Sequence, residues 1–406
     1  MSRTATDKYL HSYAEPEVRQ LQDWPAHCRF AYGLVVPAFD ESPEFLQRLL
    51  ANTLPDHRAL AIIVVNRPDS VASCEQNQRL MDVVAAELPA LWRNPAGSLS
   101  LHGDGRCGVL LVDRHNRPIP ARQGVGLARK LGSDLAAALV HRGQIDSPWI
   151  HSSDADAHWP PAYLRQSDAL TADSAAACYA FSHRDDGSDI ALATRYYELH
   201  LRNYTEGLRR AGSPYAFYTI GSILAFHCRA YCQARGFPKR AGGEDFYLLN
   251  KLAKLGRVEA LSACVELQPR LSRRVPFGTG PASARILEQL QQGEPCRSYN
   301  PQVFIELKHW LSAAQNYLRH SAGTAIAGDP LLHLDLHPAS RVALQTLGID
   351  TCWRHLNQST DGAWRVQHFH HWFDAFRTLK FIHALECNGF PPQPLPPLPG
   401  HRGTSI

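Results

Sequence analysis

The chain has 406 residues, 44% of them hydrophobic and 20% charged, a balance that excludes a disordered chain and suits a folded protein with a sizeable core. Its formal net charge of +4 is too slight over this length to mark a nucleic-acid partner. The opening M-S-R-T-A-T-D-K-Y-L-H-S-Y has no apolar h-region, so no signal peptide is expected; no run approaches the roughly 20 apolar residues that cross a bilayer, and any membrane contact would be peripheral.

In chain order, residues 1–28 read as a polar lead-in. Phe30 to Val36 (F-A-Y-G-L-V-V) is an unbroken apolar run that stops at Pro37; such runs suit parallel strands buried on both faces. Pro43 to Asn52 has a helical pattern, Leu60 to Val65 is a second buried strand, and Asn77 to Leu91 is an amphipathic helix. Gly108 to Val112 is a third strand, Gly126 to His141 an Ala- and Leu-rich helix, and Trp149 to Ser152 a fourth strand. A helix-like segment opened by Pro160 and Pro161 follows. This alternation predicts an α/β domain with a doubly wound, mostly parallel sheet flanked by helices. Ala176 to Phe181 then reads as a strand and Ala191 to Arg210 as a helix. From about Gln292 the pattern is mainly helical, with Trp372, Phe373, Phe376, Leu379 and Ile382 at helical spacing. The expected domains are a lead-in (1–28), a catalytic domain (29–290), a helical C-terminal region (291–388) and a loose, proline-rich tail (389–406). Ten dispersed cysteines without a C-x-x-C read as reduced thiols of a cytoplasmic protein.

Open α/β sheets bind ligands at the carboxyl ends of their strands. Three polar groups fall there: Pro37 to Glu41 (P-A-F-D-E), Asn66-Arg67, and the pair Asp154 and Asp156 in S-S-D-A-D. Two carboxylates at the end of a buried strand can hold a divalent cation against phosphates, although a D-x-D triplet arises by chance roughly once in a chain this long. Gly242-Gly243-Glu244-Asp245 opens a helix that is apolar on Phe246, Leu249 and Leu252, with Gly256 as its expected C-cap. Its acidic pair reads either as a complement to the helix dipole or as a general base. In G-V-G-L-A-R-K-L-G, Arg129 or Lys130 is either a solvated charge or a neighbour of a diphosphate. Arg273 and Arg274, beside a glycine-rich turn, suit phosphate oxygens or a solvated loop. His151 and His158 flank the aspartates and read as structural.

The order of these elements resembles the family-2-type glycosyltransferases of the GT-A fold, over about Phe30 to Gly256. Pro37, Ala38 and Glu41 match the family's P-A-[FY]-[ND]-E, which borders the nucleotide base, and Ala128, Arg129, Lys130 and Gly132 match A-R-N-x-G. Asp154 and Asp156 match the D-x-D. Gly221 through Arg229, then Gly242 to Asp245, fit the G-x-x-x-x-x-R and G-G-x-x-x-E-D elements. Asn66-Arg67 stands where the family often has Asp-Asp, A-R-K replaces A-R-N, and the Q-x-x-R-W of processive synthases is missing, which argues for a single addition. The resemblance implies Mg²⁺ or Mn²⁺ at Asp154 and Asp156. It implies a UDP- or GDP-type sugar donor at Pro37, Ala38, Glu41, Asn66, Arg129, Asp154, Arg273 and Arg274. It further implies that Asp245, or else Glu244, deprotonates the hydroxyl of an unidentified acceptor in a single inverting displacement. Two other readings stand beside it. A nucleotidyltransferase acting on sugar phosphates would carry a glycine-rich loop soon after the first strand, and Ala38 to Ser42 has none. An inactive nucleotide-sugar-binding protein would have less need of the intact acidic residues.

Overall fold

Side chains of Val, Ile, Leu and Ala bring no polar atoms and, where β-branched, favour the extended chain. Two such runs make the centre of the fold. β1 (Tyr32–Ala38) and β2 (Ala59–Pro68) pair in parallel from Tyr32 opposite Ala59 to Ala38 opposite Val65. Leu34 to Val36 and Leu60 to Val65 are fully buried, and burial of each large aliphatic side chain contributes about 1.5–3 kcal/mol. The computed structural model describes residues 4–272, 278–326 and 328–398.

A ten-stranded sheet forms around this pair, with β3 (Ala90–Arg93), β4 (Leu99–Gly103), β5 (Gly108–Ile119), β6 (Trp149–Ser152), β7 (Ala157–His158), β8 (Ser174–His183), β9 (Leu224–His227) and β10 (Arg257–Leu267). Its spatial order is β3-β4-β5-β2-β1-β6-β9-β8-β10-β7. β5, β2, β1 and β6 lie parallel, as do β8 and β10, while β4, β9 and β7 run against their neighbours. The chain adds β2 and β5 on one side of β1 and then crosses to β6 on the other. That reversal is a topological switch point, and the crevice beyond the carboxyl ends of β1 and β6 is where open α/β sheets bind ligands.

The helices are α1 (Ala5–Ser12), α2 (Glu44–Arg48), α3 (Leu54–His57), α4 (Glu75–Glu87), α5 (Gly124–His141), α6 (Asp189–Arg210), α7 (Cys228–Gln233), α8 (Glu244–Leu252), α9 (Thr279–Gln291), α10 (Pro301–His320), α11 (Pro338–Thr346), α12 (Ile349–Leu356), α13 (Gly362–Trp372) and α14 (Ala375–Cys387). The chain divides into two compact units, residues 1–186 with 219–282, and residues 187–218 with 283–406. The first holds the sheet. α5 packs against β1, β2 and β6 and is buried almost throughout, including Arg129, Lys130 and Asp134. The second holds α6, α10 and the later helices around Trp310, Trp353, Phe369, Phe373 and Phe381. Among the described residues no helix is long and apolar enough to cross a membrane.

The expected α/β sheet and helical C-terminal part are both present, with local differences. The polar lead-in is helical: Tyr9 on α1 is buried, and Lys130 Nζ donates to Tyr9 Oη at 2.7 Å, Asp134 Oδ2 at 2.8 Å and the Tyr13 carbonyl at 3.1 Å. The helix expected to reach Leu91 stops at Glu87, because Leu88 precedes Pro89 and is held extended at ψ 132°; β3 and β4 follow as a short hairpin. The segment after Pro160 and Pro161 is a turn leading into a 3₁₀ stretch, Leu164–Ala169. The helix expected to end at Gly256 is capped earlier, at Ala253. The aromatic stripe from Trp372 to Ile382 is split, since Asp374 caps a new helix by accepting from the Arg377 N–H at 3.3 Å. The proline-rich tail is held as far as residue 398: β12 (Gln393–Pro394) pairs with β11 (Arg297–Ser298), the Leu395 N–H donates to the Cys296 carbonyl at 2.7 Å, and the Leu398 N–H to Tyr196 Oη at 3.1 Å.

Candidate functional site

Everything described in this site belongs to the first unit. β6 delivers its carboxyl end to the switch point through three fully buried residues, His151, Ser152 and Ser153. Asp154 comes next and its two oxygens are separately engaged. Oδ1 accepts from Arg129 Nη2 at 2.6 Å, and Oδ2 accepts from the Ser222 hydroxyl at 2.5 Å. Asp156, two residues on, lies with Oδ2 2.9 Å from Arg270 Nη2. Between them the Ala155 carbonyl accepts from Arg48 Nη2 at 3.1 Å.

Arg129 is the joint of the site. It is only 3% exposed. Nε donates to Glu244 Oε1 at 2.9 Å, and Nη1 to Ser152 Oγ at 3.0 Å and to the Ser153 carbonyl at 3.2 Å. Burial favours loss of its proton, but Asp154 and Glu244 outweigh this and push its pKa up. The guanidinium fits because residue 221 is glycine, where a Cβ would fall 2.2 Å from Nη2. Arg129 therefore touches both the aspartate turn and the acidic helix, and it is too enclosed to reach far beyond them.

The acidic helix α8 starts from Gly243 in the left-handed region, at φ 70°, which favours glycine. Glu244 is buried against Arg129, an engagement that goes beyond complementing a helix dipole. Asp245 stands beside it, partly accessible. Burial, and after it the Glu244 charge, push the Asp245 carboxyl up to about 7; Arg129 and the Phe246 N–H, which donates to Oδ1 at 2.7 Å, pull the other way. A carboxylate tuned near neutrality can take a proton from a hydroxyl.

At the end of β1, Pro37 and Ala38 are buried within the strand, and the chain emerges at Phe39 and Asp40. Asp40 takes a positive φ of 55°, and its N–H donates to Asn77 Oδ1 at 2.9 Å. A cavity of about 380 Å³ opens here, lined by Phe39, Asp40, Val71, Ser73, Cys74, Glu75 and Gln76, a size suited to a small organic group. Asn66 does not open onto a ligand. It is 6% exposed, and with its amide oxygen and nitrogen interchanged it would donate to the Val64 and Ala38 carbonyls at 3.2 and 3.3 Å. Glu41 accepts both Arg270 Nη atoms at 2.8 Å.

The structure thus brings Glu41, Arg129, Asp154, Asp156, Glu244 and Asp245 to one crevice, keeps Pro37, Ala38 and Asn66 in the sheet, and leaves Arg273 and Arg274 outside the described residues. His151 is fully buried, bonded to Tyr179 Oη at 3.0 Å and pushed down to about 3 by burial, so it serves the core. His158 lies 3.3 Å from Arg184 Nη1. Two contributors, Arg48 and Arg270, escaped the sequence reading, and Ser222 lay inside the Gly221-to-Arg229 element without being singled out. Ser222 carried a signal, since it follows the glycine that makes room for Arg129. A lone arginine after Gln268-Pro269 carries none beyond the need of Glu41 for a counter-charge.

Among the described residues no cluster of three His, Cys, Asp or Glu side chains forms a complete metal cage. The donor set is a pair of hard carboxylates at the lip of a crevice. That fits an ion such as Mg²⁺ or Mn²⁺, which protein carboxylates hold in ones or twos while phosphates and water complete the shell.

No protein-family model matches the chain, and no curated protein matches it. Among solved structures it is similar to the mannosyltransferase PcManGT of Pyrobaculum calidifontis in complex with GDP-Man and Mn²⁺ (17% identity, 90% of this chain and 95% of that one, TM-score 0.38). It is also similar to S. aureus TarS with UDP-GlcNAc (11% identity, 84% and 91%, TM-score 0.39). A third is GalNAc-T7 with UDP, GalNAc and Mn²⁺ (10% identity, 84% and 56%, TM-score 0.36). All three likenesses are remote.

Proposed function

We propose that this protein is a glycosyltransferase that moves one sugar from a nucleoside-diphosphate donor to an acceptor hydroxyl, with a divalent metal and with inversion. One observation carries the reading: at the switch point, Arg129 ties Asp154, the first of an aspartate pair suited to a metal and a diphosphate, to Glu244, and next to Glu244 the Asp245 carboxyl is pushed up to about 7.

The cavity at Phe39, Asp40, Ser73 and Gln76 receives the base of a UDP- or GDP-type donor. Asp156, with Asp154 beside it, would hold a Mg²⁺ or Mn²⁺ ion, and that ion would offset the charge of the leaving diphosphate. Arg129 fixes the rotamer of Asp154 and the position of Glu244. Asp245 accepts the proton of the acceptor hydroxyl as its oxygen forms the new bond to the anomeric carbon. The old carbon–oxygen bond breaks on the opposite face, and its electron pair leaves on the diphosphate.

The test is a panel of UDP- and GDP-sugars with Mn²⁺ and candidate acceptors, read as free nucleoside diphosphate. Release that disappears in Asp156→Asn and Asp245→Asn supports the transferase. Exchange of pyrophosphate into a nucleoside triphosphate, with no sugar transfer, would show a nucleotidyltransferase instead.

A further inference from the structure

β10 leaves the sheet at Leu267, and the Gln268 N–H donates to the Asp156 carbonyl at 3.2 Å, which fixes the strand's exit against the aspartate turn. Arg270 follows at once. Its two Nη atoms grip the Glu41 carboxylate at 2.8 Å each, a planar fork that holds its orientation. The same Nη2 lies 2.9 Å from Asp156 Oδ2. Glu41 lies just beyond β1 and Asp156 just beyond β6, so the guanidinium spans the switch-point crevice. The side chain is 32% exposed, which leaves it open to a ligand. Burial acts to remove its proton, but Glu41, Asp156 and Asp154 outweigh that, so the charge is permanent.

A dication bound at Asp156 would therefore meet a fixed positive charge on its own ligand carboxylate. Like charges at that spacing repel strongly in a half-buried site. A diphosphate changes the balance, because its oxygens offer the guanidinium an alternative partner. We propose that Arg270 is a resident counter-cation of Asp156: without a donor it holds that carboxylate and weakens divalent-ion binding, and a donor diphosphate releases it, so that ion and donor bind as one coupled event. This rests on the reading of Asp156 as the metal carboxylate. Linkage makes the coupling reciprocal: whatever the nucleotide adds to ion affinity, the ion adds to nucleotide affinity.

The experiment titrates Mn²⁺ into the protein and follows the unbound ion by electron paramagnetic resonance. It is run alone and with UDP or GDP, after allowing for the Mn²⁺–nucleotide complex in free solution. Wild type should bind Mn²⁺ weakly alone and at least tenfold more tightly with the nucleotide that fits. Arg270→Gln should bind Mn²⁺ alone at least tenfold more tightly, and its gain from nucleotide should shrink by a similar factor. Arg270→Lys, which keeps the charge, should stay near wild type. A damaged site would not gain affinity, so misfolding cannot mimic this result. Unchanged or weaker Mn²⁺ binding in Arg270→Gln overturns the inference. Asp156→Asn, made in both backgrounds, separates the underlying reading: it should abolish the site, and undiminished binding would show that Asp156 is not the ligand, whatever Arg270 does. If no form binds Mn²⁺ with or without nucleotide, the metal reading falls and the inference with it.

Discussion

As the proposed base, Asp245 would have to be ionised to accept a proton, and its pKa of about 7 would then set both rate and stability. Below that pH, single-turnover release of nucleoside diphosphate should fall about tenfold per pH unit, reaching about one-hundredth of the plateau at pH 5. Stability should move in the opposite sense. The folded protein keeps this proton to about pH 7, whereas the unfolded chain loses it near 3.8. Between those values the folded state binds more protons, so stability falls as pH rises. The full difference is about 4 kcal/mol at most, because Glu244 shares the burden of the buried negative charge. Asp245→Asn removes the base and the buried charge together. Its rate should drop about 10²–10⁴-fold and lose the limb near pH 7. Urea denaturation should show the variant more stable than wild type at pH 8, with little difference at pH 4. A variant that keeps the limb, or that gains no stability at pH 8, would refute the assignment of this carboxylate.

Arg129→Met removes a buried cation and leaves Asp154 and Glu244 without their shared partner; it should cost about 3–5 kcal/mol in urea denaturation at neutral pH, and an unchanged urea midpoint would refute this. Gly221→Ala puts a methyl group where the Arg129 guanidinium lies, so turnover should fall at least tenfold while the circular dichroism spectrum is kept; wild-type kinetics would show that Arg129 has room to move. In the second unit, the fully buried Arg365 donates to the carbonyls of Ser321, Thr324, Leu356 and Ser359. Arg365→Ala strands those acceptors and should lower stability by about 3 kcal/mol, read as a lower urea midpoint.

The strands at the centre of the sheet were legible because burial on both faces leaves an unbroken apolar run. β6 matches its expected span, and β1 and β2 differ from theirs only at the ends. The β3–β4 hairpin was not, since β3 is short and half exposed and its residues carry no period. The acidic residues of the site were legible as types, because carboxylates at the end of a buried strand or in a glycine-led first turn demand an explanation. Their partners were not. Arg129 meets Glu244 across 115 residues and Asp154 across 25, and Arg270 meets Glu41 across 229, separations that no local pattern encodes. Charge balance is the part a sequence could have yielded. A crevice that gathers Glu41, Asp154, Asp156, Glu244 and Asp245 cannot close without cations, and buried carboxylates are tolerated only when paired. Arg129, enclosed and bonded on three nitrogens, answers the structural part of that demand. Arg270, half open and fixed at one end by Glu41, answers a part that a ligand can take over.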